Sequence, residues 1–483
     1  MSLLKQKPSL LFLVLILMFS NAWAQQKTVV FTSSDKALEQ SFNWAKQMAL
    51  HYRGANTDPV GPWYESALPP RFAFCMRDVS HQCIGAEILG LSKENTNMFN
   101  LFAGNISQSK DWCTYWEINK WAKTVPDDYR NDKEFWYNLP ANFDVLNASW
   151  RLYLWTGDNH YIDGPAFTNF QQKTVKDYIN KWVLAPDSLL KRPAHPNAPV
   201  PYNEEDAFHR CRGLPSYSEG IKDMKTGADL VAALYRGLLT YSEILSKKHQ
   251  YKEAAIYADK AKKYRERLDA DWWSEKDNQY YTYYSNSNQF GMDAGGTFLL
   301  WFDALTDTAR IDKTLKQITA SDRNVENMSY HPFLFYKFGH WTEARNYIIY
   351  LSSATTARRE YPEVSYGIIE GIVQGLMGVA PDARNYSLST IYKTKEFGNA
   401  MISNLPVLGT TVNLSHLSRS RSSISNTGKK AFNWRAMFYG AFKHARVNGS
   451  VANVKRKMDA QNVTVTLVET SVKPGRKINI EVY

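Results

Sequence analysis

Apolar positions recur with a helical period over most of residues 35–390. "ALEQSFNWAKQMALHY", "FDVLNASWRLYLWTG", "GADLVAALYRGLLTYSEILSK" and "YKEAAIYADKAKKYRERLDADWW" each place an apolar stripe along one face. "GGTFLLWFDALT", "HPFLFYKFGHWTEARNYIIYLS" and "VSYGIIEGIVQGLMG" continue the series, predicting about twelve helices. They are of two kinds. Residues 251–269 are amphipathic and heavily charged, which suits an outer position, whereas 227–240 and 365–379 are apolar and rich in Gly or Ala, which suits burial on most sides. In the last of these, Gly367, Gly371 and Gly375 recur every fourth residue and offer a small face for close packing. Glu370 and Gln374 interrupt that segment, and it is too short to span a bilayer. Alternating outer and inner helices, about six pairs, predict an all-α (α/α)6 toroid, and no signature repeat of a solenoid appears.

After about residue 395 the period shortens to two. "ISNLPVLGTTVNLSHLS", "VNGSVANVKRK", "NVTVTLVETSV" and "KINIEVY" alternate between turn signals and read as short strands. The expected division is therefore a helical toroid over 25–392 and a small β-rich C-terminal domain over 393–483.

Residues 1–24 change the picture of where this fold works. Lys5 and Lys7 precede an apolar run that ends in Ala22-Trp23-Ala24, the layout of a signal peptide cleaved after Ala24. The expectation is an exported protein, periplasmic or secreted, with no later segment able to cross a membrane. Charge is unevenly spread: residues 391–483 carry 15 Lys and Arg against 4 Asp and Glu, which accounts for the whole net charge of +11. That basic domain either attracts an anionic partner or simply presents a solvated face. It lacks the interleaved basic and aromatic residues of nucleic-acid modules. The four cysteines, Cys75, Cys83, Cys113 and Cys211, are too scattered for a structural zinc site and read as buried thiols or one bridge. No phosphate-cradling loop, His-Glu-x-x-His or Cys-x-x-Cys is present, so neither a metal nor a cofactor is expected.

The loops leading into the inner helices carry the chemistry. They include "PPRFAFCMRDVSHQ", "YWEINKW", "PYNEEDAFHRCRGLPSYSEGIKDMKTGAD", "RNVENMSYHP" and "RREYPEVSYG". If the inner helices run alike, their N-terminal ends converge on one mouth holding Asp78, Glu117, Asp144, Glu219, Asp293 and Glu363, with Arg77, Arg212 and Arg359 among them. Trp116, Tyr217, His81 and His331 add rings and hydrogen-bonding groups. Aromatic faces stack on sugar rings, carboxylates and arginines bind hydroxyls, and glycoside cleavage needs one protonated and one ionised carboxyl. Each residue also has a plainer reading. Asp78 and Asp144 sit where N-caps sit, His81 lies one turn into its helix, and Glu117 is placed for a structural ion pair. Glu219 and Glu363 are isolated carboxylates flanked by Tyr and Gly and remote in sequence.

With these residues in view, the chain resembles the six-hairpin glycosidases over roughly residues 35–390. The Arg-Asp of "FCMRDVSHQ" is similar to a sugar-binding Arg-Asp in that superfamily, and "EVSYGIIEGIVQGLMGVAPDA" is similar to the final inner helix of glycoside hydrolase family 154 exo-β-glucuronidases. The resemblance implies an exo-acting hydrolase releasing a terminal sugar, here glucuronic acid, from an acidic oligosaccharide. By order along the chain it makes Glu219 the general acid and Glu363 the base, with Arg77 or Arg359 clamping the uronate. Two rivals stay open. One is a toroidal polysaccharide lyase using Tyr330, His331 or Tyr217; the other is a glycan-binding protein without turnover.

Overall fold

The computed structural model describes residues 28–67, 69–394, 398–459 and 461–483. The signal-peptide expectation over 1–24 lies outside them. Among the described residues, twelve helices build the body: α1 (Lys36–His51), α2 (Met76–Ile88), α3 (Ser92–Gly104), α4 (Ala141–Thr156), α5 (Pro165–Lys173, running on through a π turn) and α6 (Ala228–Lys247). They continue with α7 (Tyr251–Asp271), α8 (Gly296–Trp301), α9 (Thr308–Ser321), α10 (His331–Lys337), α11 (Trp341–Ser352) and α12 (Pro362–Glu370). Three four-residue helical turns lie between them.

The even-numbered helices form the inner ring. α2 packs on α4, α4 on α6, α6 on α8, α8 on α10, α10 on α12, and α12 returns to α2. The odd-numbered helices lie outside, with α7 against α6, α9 against α8 and α11 against α10. This closed succession is consistent with an (α/α)6 toroid. Sequence explains the sorting. Every residue of α12 is buried, whereas α7 hides only Ala254, Tyr257, Ala261, Tyr264 and Leu268. Close approach requires glycine at two inner contacts. A Cβ on Gly85 would stand 2.6 Å from the Tyr366 carbonyl oxygen, and one on Gly367 2.4 Å from that of Ser329. α12 then passes into a π-helical stretch, Gly371–Leu376, where the regular helical expectation had been continuous.

The β-rich region is a pair of sheets. A seven-stranded sheet contains β1 (Val30–Ser33), β4 (Ala400–Val407), β5 (Thr410–Ser418), β6 (Arg421–Asn426), β8 (Ala445–Val447), β9 (Ser450–Ala452) and β12 (Lys477–Val482), in the order β1-β4-β5-β6-β12-β8-β9. A five-stranded sheet runs β2 (Ala380–Asp382), β3 (Ser387–Ile391), β7 (Phe432–Tyr439), β11 (Thr464–Val472), β10 (Lys455–Met458). In β7, and in β5 as far as Leu417, burial alternates as the period of two requires. The sheets therefore start at 380, before the expected boundary at 393, and recruit β1 from ahead of α1. Val30–Ser33 pairs antiparallel with Ala400–Ser403. Trp155 Nε1 donates to Pro406 O at 2.9 Å and the His416 ring meets Met377 O at 3.0 Å, tying the sheets to the helices. All four cysteines are buried and free.

Candidate active site

A cleft of about 430 Å³ opens where N-terminal ends of inner helices meet the loops. Its lining includes Arg71, Arg77, Asp78, Trp116, Glu117, Tyr217, Glu219, Asp293, Asn324, Glu326 and Tyr361. The strand Ala73–Cys75, paired with Glu117–Asn119, delivers Arg77 and Asp78 into the first turn of α2. Cys75 is the N-cap residue there, and no side chain caps the helix. Asp78 is thus not a cap. Its Oδ1 accepts from Arg77 Nε at 3.0 Å, and its carboxyl meets that of Glu363. Asp144 likewise sits inside the first turn of α4, where Pro140 occupies the cap position. Its two oxygens accept from the Tyr217 hydroxyl at 3.2 Å and the Trp301 indole at 3.4 Å.

Glu363 lies in the first turn of α12 at the expected entrance but is fully buried behind Asp78 and off the cleft lining. Burial and the Asp78 charge raise its pKa well above the carboxylate range. Burial also raises Asp78, to about 6, with Arg77 opposing the rise. The two carboxyls therefore share one proton near neutrality, held on Glu363 while Asp78 ionises toward Arg77. A second carboxyl couple joins Glu117 of the lining to Asp128. Arg71 Nη2 reaches Glu117 at 2.7 Å and Asp128 at 3.0 Å, and burial with the Asp128 contact pushes Glu117 up to about 10.

Glu219 stands on the rim. The strand Arg212–Leu214 pairs with Tyr137–Asn138, and Asn138 Nδ2 donates to Ser216 O at 2.8 Å and Glu219 Oε1 at 3.0 Å. Asp229, at the start of α6, accepts from Tyr217 N at 2.6 Å and fastens the same loop. Glu219 is an exposed residue, yet the protein around its carboxyl raises its pKa, against Arg77, Asn138 and Trp136. Asp293 is also exposed on the lining.

The remaining expected residues go elsewhere. His81 is buried below the mouth, stacked on Tyr330 at 3.6 Å between centroids, with Nε2 at 3.0 Å from Ser329 Oγ. Burial depresses its pKa well below the usual histidine value. Arg212 lies outside the cleft, buried between Phe135 and Trp182 and paired with Asp111. His331 is fully buried with Nε2 at 2.9 Å from Asp322. Arg359 donates to Ser352 O at 2.8 Å and lies over Trp44. These three are held by structural partners and do not line the cleft. Sequence reasoning passed over Arg71, Glu326 and Tyr361. Arg71 heads the stretch that contains Arg77, and Glu326 is the single acid of "RNVENMSYHP", so a signal was present.

The site's class emerges from fold and lining together: an open sugar-sized cleft of carboxyls, arginines and aromatic rings at the mouth of a helical ring. No family model matches the chain, and no curated protein matches it. Solved structures do resemble it. An α-L-rhamnosidase from Dictyoglumus thermophilum superposes with a TM-score of 0.57 at 13% identity, covering 94% of this chain and 50% of that one. A GH78 family rhamnosidase of Bacillus sp. GL1 gives 0.54 at 13%, covering 81% and 40%. A kojibiose phosphorylase from the human microbiome, described as putative, gives 0.55 at 9%, covering 93% and 68%. These are (α/α)6-type glycosidase folds with a C-terminal β-rich region. At such identities the likeness is one of fold. The chain spans half or less of the length of the two rhamnosidases.

Proposed function

We propose that the cleft is the active site of an exo-acting glycoside hydrolase that removes one terminal sugar from an oligosaccharide. The observation that carries this reading is that two carboxyl sites remote in sequence, Glu219 and Asp78, the latter backed by the buried Glu363, line one cleft. Protonated Glu219 gives its proton to the glycosidic oxygen as the bond to the anomeric carbon breaks. Ionised Asp78 takes a proton from water, whose oxygen completes the anomeric centre. Glu363 acts through Asp78 as a positioning residue that holds the pair's proton. Tyr217 and Trp116 supply ring faces, and Asn324 and Asn327 supply hydroxyl partners.

The lining favours a neutral terminal sugar. Two arginines face five carboxyl residues; Arg71 is engaged by Glu117 and Asp128, and Arg77 by Asp78. The rhamnosidase neighbours make a rhamnoside the first substrate to try. Glucuronic acid is the second reading, supported by Arg77, whose guanidinium lies on the lining and could meet a carboxylate. Of the lyase candidates only Tyr217 lines the cleft, while Tyr330 and His331 are buried beneath it or away from it. The test is product analysis with a panel of aryl glycosides and oligosaccharides bearing terminal rhamnose or glucuronate. Release of a free saturated sugar supports hydrolysis and names the sugar. An unsaturated, ultraviolet-absorbing product would replace the hydrolase by the lyase, and binding without turnover would replace it by the glycan-binding protein. Export, with cleavage after Ala24 and a periplasmic destination, belongs to the same proposal and is checked by N-terminal sequencing of protein recovered from cell fractions.

A further inference from the structure

A second and much smaller pocket of about 40 Å³ adjoins the cleft at Glu219. Its walls share Glu219 with the cleft and otherwise include Arg192, His195, Arg210, Lys222 and Lys225. The contrast with the cleft is one of sign, because Glu219 is the single carboxyl residue on this lining. Arg192 is 3% exposed. Its Nε donates to Trp182 O at 3.1 Å and its Nη1 to Lys225 O at 2.8 Å, while Nη2 is buried with no hydrogen-bond partner. Both partners are neutral carbonyls, so the guanidinium charge has no carboxylate against it. A buried cation in that state is costly unless something compensates it. Burial pulls its pKa down to about 10, the direction an uncompensated cation takes. Lys222 is exposed and has no ion-pair partner among the described residues, and Arg210 donates to the neutral Glu204 carbonyl at 2.9 Å.

Resting on the hydrolase reading, we propose that this pocket binds an anionic group, a carboxylate or a sulfate ester, on the sugar that becomes the leaving group. The geometry fits that task. Glu219 lines both the cleft and the pocket, and the proposed acid must stand beside the leaving oxygen. A sugar placed on the pocket side of Glu219 therefore brings its substituents toward Arg192 and Lys222, with Lys225 held by Asn288 Oδ1 at 2.6 Å beside them. The volume suits one small charged substituent rather than a whole ring. The substrate class that results is a neutral terminal sugar attached to an acidic one, cut out of an acidic polysaccharide.

The experiment compares kcat/KM on three disaccharides with the same terminal sugar, the second unit being glucose, glucuronate or a glucose sulfate. The wild-type enzyme should prefer an acidic member by about tenfold or more through KM, with the preference falling as salt rises. The glucuronate and sulfate arms decide which anion the pocket takes. Arg192→Gln and Lys222→Glu should bring the ratio of acidic to neutral kcat/KM toward one, and Arg192→Lys should restore part of it. Equal rates on all three substrates, or a ratio unmoved by both variants, would overturn the proposal. Lys222→Glu, at an exposed position, decides the matter if Arg192→Gln does not fold. The hydrolase reading fails separately, by absence of turnover on every member. In that event calorimetric titration with methyl glucuronide and a methyl glucoside sulfate, wild type against Lys222→Glu, still tests the pocket: binding weakened by the substitution supports it, and no binding overturns it.

Discussion

Two of the arginine–carboxylate contacts on the inner ring differ in a way that separates support from chemistry. Arg151 of α4 pairs with Glu370 of α12, and the Trp301 ring lies 4.5 Å from the guanidinium. Here one cation answers one carboxylate deep inside the ring, with Gln374 at its edge. Arg77 and Asp78 at the mouth look alike on paper, yet Arg77 also answers Glu363 and Glu219, and the contact opens on the cleft. Burial alone marks neither as functional. A surplus of carboxyls over cations, which forces protons to be shared, together with access to a cavity, is the distinguishing mark.

That contrast can be broken experimentally, and the largest effect is expected at the mouth. Asp78→Asn should lower kcat by about 10²–10⁴-fold with an unchanged circular dichroism spectrum, because the proposed base is removed while the amide oxygen still accepts from Arg77 and the other ion pairs are left. If activity survives, the base lies elsewhere. Glu219→Gln should cost a similar factor on glycosides with poor leaving groups and much less on activated aryl glycosides, whose departure needs little proton donation. Equal losses on both would deny Glu219 the acid role. Glu370→Gln should behave oppositely, costing about 3–5 kcal/mol of stability by stranding Arg151, with kcat on the surviving folded enzyme near wild type. A catalytic loss at full stability would erase the distinction between the two pairs.

The smallest effect concerns pH. Burial raises Asp144 to about 7, so the folded state binds its proton more tightly than the unfolded chain does. Its contribution to stability is present below the ordinary aspartate value and is lost as pH rises through about 7. Asp144→Asn, which keeps a neutral partner for Tyr217 and Trp301, should therefore gain Tm relative to wild type at about pH 8 but not at about pH 4. Thermal melts at the two pH values check the sign. An equal offset at both would show that Asp144 does not titrate in this range.

The helical period located the body well because amphipathic stripes are local. Residues 251–269 became the charged outer helix α7, and 227–240 the buried α6. The loops rich in aromatic residues and carboxyls were legible as the mouth, and Arg77, Asp78, Trp116, Glu117, Tyr217, Glu219 and Asp293 all lie on the cleft lining. Depth was not legible. Position along a helix placed Glu363 at the entrance but could not show that Asp78 stands in front of it. Arg212 and His331 were drawn to the mouth by sequence neighbours, whereas the partners that claim them, Asp111 and Asp322, are chosen by tertiary packing. Arg192 gave no local signal, since what makes it unusual is the absence of a carboxylate from a shell assembled by distant segments.

One pairing has a consequence for how the chain is made. β1 is among the first described residues, yet its neighbour β4 begins at Ala400, and the same sheet closes with β12 at Val482. During synthesis the opening strand must wait, edge unpaired, while the whole helical ring emerges. The seam at Val30–Ser33 thus works as a clasp that fastens only after the helical ring between its two strands has emerged. A chain stopped before Ala400 would leave that clasp open beside the helices, with an unpaired strand edge as its mark.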